Sequence, residues 1–194
     1  MIPMAQPPHI LLGVTGSIAA YKAVELTRMM KTRGWDVTVI MTREATEFVG
    51  ELTFRTISRN PVALDMFAKV DEWKPEHISL ADRASVLVIA PCTANVIAKL
   101  AHGLADDTLT CAALATRAPL VIAPAMNGKM WEHVATRDNV EILRRRGAVI
   151  VDVETGGLAC GYEGSGRLAS LDKIVATVEA VMKKRPAMRS KRSR

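Results

Sequence analysis

The 194-residue chain is poor in aromatic side chains and in cysteine. Aromatic residues make up only 4% of it, while 49% is hydrophobic, so small and aliphatic side chains dominate. This mixture disfavours an aromatic-rich β-sandwich and favours helices packed on a buried sheet. The three cysteines, Cys92, Cys111 and Cys160, form no CxxC motif, and the four histidines form no cluster. We therefore expect neither a disulfide framework nor a metal site.

The chain also lacks long apolar runs. None approaches the roughly 18 residues that read as a membrane span. Residues 1–8 have neither the basic start nor the apolar stretch of a signal peptide. Charged residues make up 24% of the chain beside its large apolar fraction, which excludes a wholly disordered protein. We expect a cytoplasmic protein with no membrane partner.

The net charge of +6 is concentrated at one end of the chain. Residues 183–194 hold seven cations and no acid, so residues 1–182 carry a net charge of −1. A basic patch spread over a folded body would indicate a nucleic-acid partner, but a basic terminus is more often a solvated end. We therefore predict one folded domain over residues 1–182, a disordered basic tail over 183–194, and no nucleic-acid binding.

Short β-branched runs alternate with helical segments along the domain. The predicted strands cover residues 9–14, 37–41, 86–90, 120–123 and 149–153. The predicted helices cover residues 19–32, 94–100, 108–116, 135–146 and 171–182. Alternation of this kind predicts right-handed crossovers and an α/β fold, a doubly wound, Rossmann- or flavodoxin-like parallel sheet with helices on both faces. Residues 70–76 and 155–167 show no helical pattern and are predicted to be loops.

Ligands of such sheets bind at the carboxyl ends of the strands. The first predicted strand leads into GVTGSIAAYK, in which Gly16 permits a tight turn and Ser17 can cap the next helix. The spacing is neither GxGxxG nor a Walker P-loop. The second strand ends at Thr42, where dinucleotide folds commonly carry an acid for the ribose diol. A hydroxyl fits a second phosphate contact, so the sequence favours a mononucleotide such as FMN over NAD.

Two later strand ends carry polar groups that allow two interpretations. Thr93 and Asn95 can bind the polar edge of a ring system or simply cap the following helix. Asn127 can donate to a carboxylate beside an apolar wall containing Met126 and Met130, or it can belong to an ordinary buried loop.

The remaining candidates lie on predicted loops. Cys160 sits among the glycines of GLACGYEGSGR, which predict a mobile flap, and there it has either a chemical role or a packing role. Arg167 can contact an anionic substrate or pair at the surface. His77 opens a helical stretch and is either a base or a structural histidine.

Five motifs occur in order: GSIAAYK, HIxLA at His77, TAN, PAMNxxMW and LACGxxGxGR. Over about residues 10–182 the chain resembles the flavin-dependent cysteine decarboxylases, and among them the branch of coenzyme A biosynthesis. The resemblance implies that His77 is the catalytic base, Cys160 the proton donor and Asn127 the anchor of the substrate carboxylate. Further substrate contacts are implied for Ala159, Gly161, Met130 and Arg167. An FMN site is implied for Gly16, Ser17, Thr42, Thr93, Asn95 and Met126.

The implied reaction is FMN-dependent decarboxylation of 4′-phosphopantothenoylcysteine to 4′-phosphopantetheine. Direct loss of CO2 would leave an unstabilised carbanion, whereas oxidation of the side chain to a thioaldehyde lets the electrons released at Cα form an ene-thiolate. Return of a hydride and a proton then completes a redox-neutral reaction. The resemblance also implies a homotrimer, in some members assembled into a dodecamer, with the flavin near a subunit interface.

Two other functions fit parts of the pattern. Lantibiotic peptidyl-cysteine decarboxylases share the histidine and the PxMN loop but stop at the oxidised ene-thiol and lack the LACG cysteine. Some relatives are non-catalytic regulatory subunits of phosphatases, with long acidic extensions that this sequence lacks. Bacterial relatives commonly continue into a synthetase domain, so the basic tail is either the end of a monofunctional protein or a severed linker.

Overall fold

A six-stranded parallel sheet forms the centre of the protein in a computed structural model that describes residues 7–66, 75–157, 161 and 163–184. The strands are β1 (His9–Val14), β2 (Asp36–Met41), β3 (Val62–Ala63), β4 (Val86–Cys92), β5 (Leu120–Pro124) and β6 (Val149–Ile150). Their order in the sheet is β3-β2-β1-β4-β5-β6, and every neighbouring pair is parallel. The predicted doubly wound α/β fold is confirmed.

Helices cover both faces of this sheet. They are α1 (Ala20–Thr32), α2 (Glu51–Ser58), α3 (Glu76–Arg83), α4 (Ala94–His102), α5 (Thr108–Ala115), α6 (Gly128–Glu132), α7 (Val134–Arg145) and α8 (Leu171–Lys184), with a 3-10 helix at Arg43–Glu47. Helices α1, α2 and α8 pack on one face, and α3, α4, α5 and α7 pack on the other. None of the helices within the described ranges is long and apolar enough to cross a membrane.

The central strands contribute to two cores because successive side chains point to opposite faces. In β4, Val86 and Val88 pack under α1 and α8, while Leu87 and Ile89 pack under the helices of the other face. All four are fully buried. Burial on both faces explains why these strands appear in the sequence as continuous apolar runs rather than as alternating ones.

A second, two-stranded antiparallel sheet lies where a loop was predicted. Strand β7 (Glu154–Gly157) pairs with β8 (Glu163–Arg167), so the expectation of a loop over residues 155–167 is wrong for these two arms. The pairing escapes prediction because the arms are rich in glycine, which carries no side-chain pattern. At Gly166 φ is +123°, and a Cβ there would collide with the Met126 carbonyl oxygen. The hairpin therefore docks closely on the chain that follows β5.

Other differences concern the edges of the fold. The edge strand β3 and helix α2 were not predicted, and β6 is shorter than the predicted 149–153. Lys183 and Lys184, assigned to the basic tail, form the last turn of α8, and residues 185–194 lie outside the described residues. Most of the loop predicted at 70–76 also lies outside them, and Glu76 already belongs to α3.

Candidate active site

A cavity of about 690 Å³ opens at the carboxyl ends of the parallel strands. The sheet order reverses between β1 and β4, and open α/β sheets bind ligands in the crevice at such a switch point. The cavity follows the ends of β2, β1, β4 and β5 and is bounded by the β7–β8 hairpin. Three strand spacings correspond to roughly 14 Å, and the volume is that of a small-molecule site.

The structure brings nine of the predicted site residues together on this cavity. They are Gly16, Ser17, Thr42, Thr93, Asn95, Met126, Asn127, Met130 and Arg167. His77 and Gly161 do not line it. Ala159 and Cys160 lie outside the described residues, so their predicted roles are not tested.

The turn after β1 is held against the 3-10 helix that follows β2. A Cβ at Gly16 would collide with the Cβ of Glu44, so this position requires glycine for close approach of the two segments. Ser17 does not cap α1, because the helix begins at Ala20 and Ala19 occupies the cap position. Its hydroxyl instead accepts the Ala19 amide at 3.3 Å, which leaves the hydroxyl proton for a ligand. The positive end of the 13-residue helix α1 lies beside it.

Thr42 contributes a buried hydroxyl to the cavity lining. It is only 4% exposed, and its Oγ1 is fully buried with no hydrogen-bond partner among the described residues. Leaving a buried hydroxyl unpaired costs about 1–3 kcal/mol. Lys22, on the first turn of α1, also lines the cavity and contributes positive charge. A hydroxyl donor, a cation and a helix N-terminus suit a phosphate group.

The end of β4 combines the two interpretations that the sequence left open. Thr93 is the N-cap of α4, where its hydroxyl accepts the Val96 amide at 3.4 Å, and it also lines the cavity with Asn95. Sequence reasoning missed Thr15, which is fully buried beneath this segment. Its hydroxyl donates to the Pro91 carbonyl at 2.8 Å and accepts the Thr93 amide at 3.0 Å. No sequence signal separates this threonine from an ordinary buried one.

The end of β5 supplies the other wall. Asn127 is the N-cap of the short helix α6, with its Oδ1 accepting the Lys129 amide at 2.9 Å, and that bond orients the side-chain amide. The Met126 amide donates to the Gly166 carbonyl at 2.9 Å. Arg167 lies across Gly156 on the opposite arm of the hairpin, where a Cβ would be 3.1 Å from its Nη1. Strand β8 of the hairpin therefore places Arg167 at the cavity.

His77 lies apart from these residues, in the first turn of α3. Its Nδ1 is buried and has no hydrogen-bond partner within the part of the chain that the structure describes. A single copy of the chain therefore brings the predicted base and the cavity lining to different places.

Neither described cysteine lines the cavity. Full burial raises the pKa of the Cys92 thiol far above its usual value. The pKa of the Cys111 thiol is raised by burial and by the negative charges of Asp107 and Asp106. Both thiols are therefore neutral near pH 7 and unsuited to nucleophilic chemistry. Among the residues described, no group of His, Cys, Asp and Glu could hold a metal ion.

Comparison with known proteins gives matches along nearly the whole chain. The profile of the Flavoprotein family matches residues 3–183. The chain is 46% identical over 171 residues to the coenzyme A biosynthesis bifunctional protein CoaBC of Bacillus subtilis, covering 88% of this chain and 42% of that protein. It is 42% identical over 172 residues to a probable phosphopantothenoylcysteine decarboxylase of Streptococcus mutans, covering 88% of this chain and 96% of that one. The chain therefore spans less than half the length of the bifunctional relative.

Solved structures share the fold. A PPC decarboxylase mutant complexed with pantothenoylaminoethenethiol superposes with a TM-score of 0.82 at 32% identity, covering 92% of this chain and all of that one. The FMN binding protein AtHal3 superposes with a TM-score of 0.78 at 32% identity, covering 92% of this chain and 98% of that one.

Proposed function

The chain belongs to the Flavoprotein family, and on that premise we propose that it binds FMN and decarboxylates 4′-phosphopantothenoylcysteine to 4′-phosphopantetheine. The observation that carries the proposal is the cavity at the switch point, which is lined by both Thr42 and Asn127. The buried Thr42 hydroxyl has no hydrogen-bond partner among the described residues. The names of the Streptococcus mutans relative and of the PPC decarboxylase structure support this substrate. The Bacillus subtilis relative supports a place in coenzyme A biosynthesis.

The donors at one end of the cavity fit the phosphate of FMN. Thr42 and Ser17 offer hydroxyl protons, and Lys22 and the N-terminus of α1 offer positive charge. Asn95 and Thr93, two strand ends along, fit the polar edge of the ring, with Met126 against its face. When bound, FMN supplies the two-electron acceptor and donor that decarboxylation of a cysteine derivative requires.

The other residues of the cavity fit the substrate. The side-chain amide of Asn127 donates to the substrate carboxylate, and its position is fixed by the bond to Lys129. Met130, which is half exposed at the rim, provides apolar contact, and Arg167 provides a countercharge for an anionic group. In this scheme His77 accepts the proton of the substrate thiol, and Cys160 later returns a proton to carbon. Ala159 and Gly161 contact the substrate beside Cys160.

His77 does not line the cavity, so in this scheme a second copy of the chain supplies it. We place a neighbouring subunit at the cavity mouth, where Ile18 and Tyr21 leave 58% and 60% of their surfaces exposed. Exposed apolar side chains beside a ligand site indicate a surface that another protein covers. A homotrimer, alone or assembled into a dodecamer, closes such an interface by rotation and supplies each cavity with one neighbouring His77.

Two further proposals follow from the relatives and the chemistry. A synthetase domain, as in the bifunctional relatives, is a candidate partner either on the same polypeptide or as a separate protein. The substrate carries a free thiol, so we place the reaction in the reducing cytoplasm.

Product analysis tests the proposal directly. The full chain, purified with FMN, is incubated with 4′-phosphopantothenoylcysteine, and the products are followed by mass spectrometry. We expect 4′-phosphopantetheine, loss of turnover in His77→Asn, and accumulation of the oxidised ene-thiol in Cys160→Ser. Cys111→Ser, whose thiol does not line the cavity, is the matched control and should behave as the unchanged chain.

Two results would contradict the proposal. A protein that does not bind added FMN would refute the flavin site. Release by the unchanged chain of a product two hydrogens lighter than phosphopantetheine would instead assign it to the oxidative, peptide-modifying branch.

A further inference from the structure

The backbone pairing of β1 with β4 ends before the two strands reach the cavity. Their backbone pairing begins at Ile10↔Val86 and ends at Gly13↔Ile89, although β4 continues to Cys92. The pairing of β4 with β5 also shifts register after Ile89. The β1–β4 pairing thus stops at Gly13 and Ile89, which leaves a gap in the backbone pairing between the turn after β1 and the end of β4.

One side chain bridges this gap. The Thr15 hydroxyl donates to the Pro91 carbonyl at 2.8 Å and accepts the Thr93 amide at 3.0 Å, so it joins the turn after β1 to the end of β4. Thr15 is fully buried, so these bonds are shielded from water. Its carbonyl also accepts the Ser17 amide at 2.8 Å. The same residue is therefore bonded to the turn that carries Ser17 and to the segment that carries Thr93.

We propose that Thr15 is a positioning residue that fixes the distance between the phosphate end and the ring end of the cofactor site. It does not line the cavity, so its effect passes through Ser17 and Thr93. The inference rests on the proposed FMN site. It goes beyond that proposal because a residue outside the cavity would control how well the two ends of one ligand are held at once.

The isosteric variant Thr15→Val removes both hydroxyl bonds while keeping the volume. Losing two shielded bonds should weaken FMN binding about tenfold or more. Riboflavin binding should weaken less than FMN binding, because riboflavin lacks the phosphate and does not have to reach both ends of the site. The visible spectrum of the bound flavin should shift, and the Thr93 amide should exchange with solvent faster, since its acceptor is gone. Thr15→Ser keeps the hydroxyl and should restore FMN affinity to within about threefold.

Thr27→Val is the matched control. Thr27 is also a fully buried threonine, but its hydroxyl donates to Ala23 in the same helix at 2.7 Å. A general loss of stability would therefore appear in both variants, whereas loss of flavin affinity and a spectral shift should appear only in the Thr15 variant. If Thr15→Val does not fold, Thr15→Cys replaces the hydroxyl with a weaker hydrogen-bonding group, and we expect intermediate FMN affinity with the same spectral shift.

The proposal would be overturned if Thr15→Val, or Thr15→Cys in its place, bound FMN with unchanged affinity and an unchanged spectrum although its Thr93 amide exchanged faster. Failure of the unchanged chain to bind FMN would refute the proposed function instead. The two failures are distinct because binding by the unchanged chain is measured first.

Discussion

Replacing Thr42 with valine should stabilise the ligand-free protein and at the same time lower its affinity for FMN. The two effects have opposite signs. They follow from one property of the side chain, a hydroxyl that is fully buried and has no hydrogen-bond partner among the described residues. Valine has nearly the same shape and lacks the oxygen.

The size of each effect follows from the contact that is lost or relieved. Removing an unpaired buried hydroxyl should raise the free energy of unfolding by about 1–2 kcal/mol. For a domain of this size each 1 kcal/mol raises Tm by about 2–4 °C. A hydrogen bond from the hydroxyl to a phosphate is a bond to a charged group and contributes about 1.5–3 kcal/mol. FMN affinity should therefore fall about 10- to 100-fold.

Riboflavin binding distinguishes loss of a phosphate contact from other causes of weaker FMN binding. Riboflavin lacks the phosphate, so Thr42→Val should leave the affinity for riboflavin unchanged. The preference for FMN over riboflavin should therefore shrink by the same factor by which FMN affinity falls. Calorimetric unfolding of the ligand-free protein and fluorescence titration with both flavins make the measurements. Thr27→Val, whose hydroxyl is paired with Ala23, should lose stability and keep its flavin preference. Equal losses of FMN and riboflavin affinity in Thr42→Val would refute the phosphate contact.

The remaining predictions concern the second copy and the hairpin. If a neighbour supplies His77, mixed oligomers of His77→Asn and Asn127→Ala should regain about a quarter of normal turnover. Random mixing gives that share of the sites in a trimer both intact residues. If native mass spectrometry shows that subunits have exchanged and turnover does not recover, both residues act in one chain. Gly166→Ala should lower the free energy of unfolding by about 1–3 kcal/mol, since its φ of +123° and the Met126 carbonyl leave no place for a Cβ. Gly50→Ala, with ordinary φ and open space, should change it little in the same urea titration.

The fold could be predicted further than the site because each of its signals extends over a whole element. β1 and β4 appear as continuous apolar runs and α8 as a 3.6-residue pattern, and their bounds were predicted to within two residues at each end. The hairpin was missed because Gly156 and Gly164 pair through their backbones and leave no pattern of side chains. The edge strand β3 was missed because two residues are too few to show any period.

The sequence predicts which residues meet at the cavity where they follow a strand end, but it does not predict contacts that depend on a pairing across the fold. Thr42 directly follows β2 and Asn127 lies three residues after the end of β5. The carboxyl ends of parallel strands meet at one edge of the sheet, so their convergence follows from topology. The bonds from Thr15 to Pro91 and Thr93 join residues more than 70 positions apart, a relation that local patterns do not encode.

The arrangement also separates binding from turnover. The proposed cofactor donors follow β1, β2 and β4, so one chain alone brings them together. The predicted base is on α3, outside the cavity lining, and reaches a reacting thiol only through assembly in the proposed scheme. An isolated subunit would then hold FMN and remain inactive, because the phosphate contacts need no partner and the proton transfer does. The exposed Ile18 and Tyr21 at the cavity mouth link the two properties, since in the proposed scheme the second subunit covers this apolar surface at the place where it delivers His77.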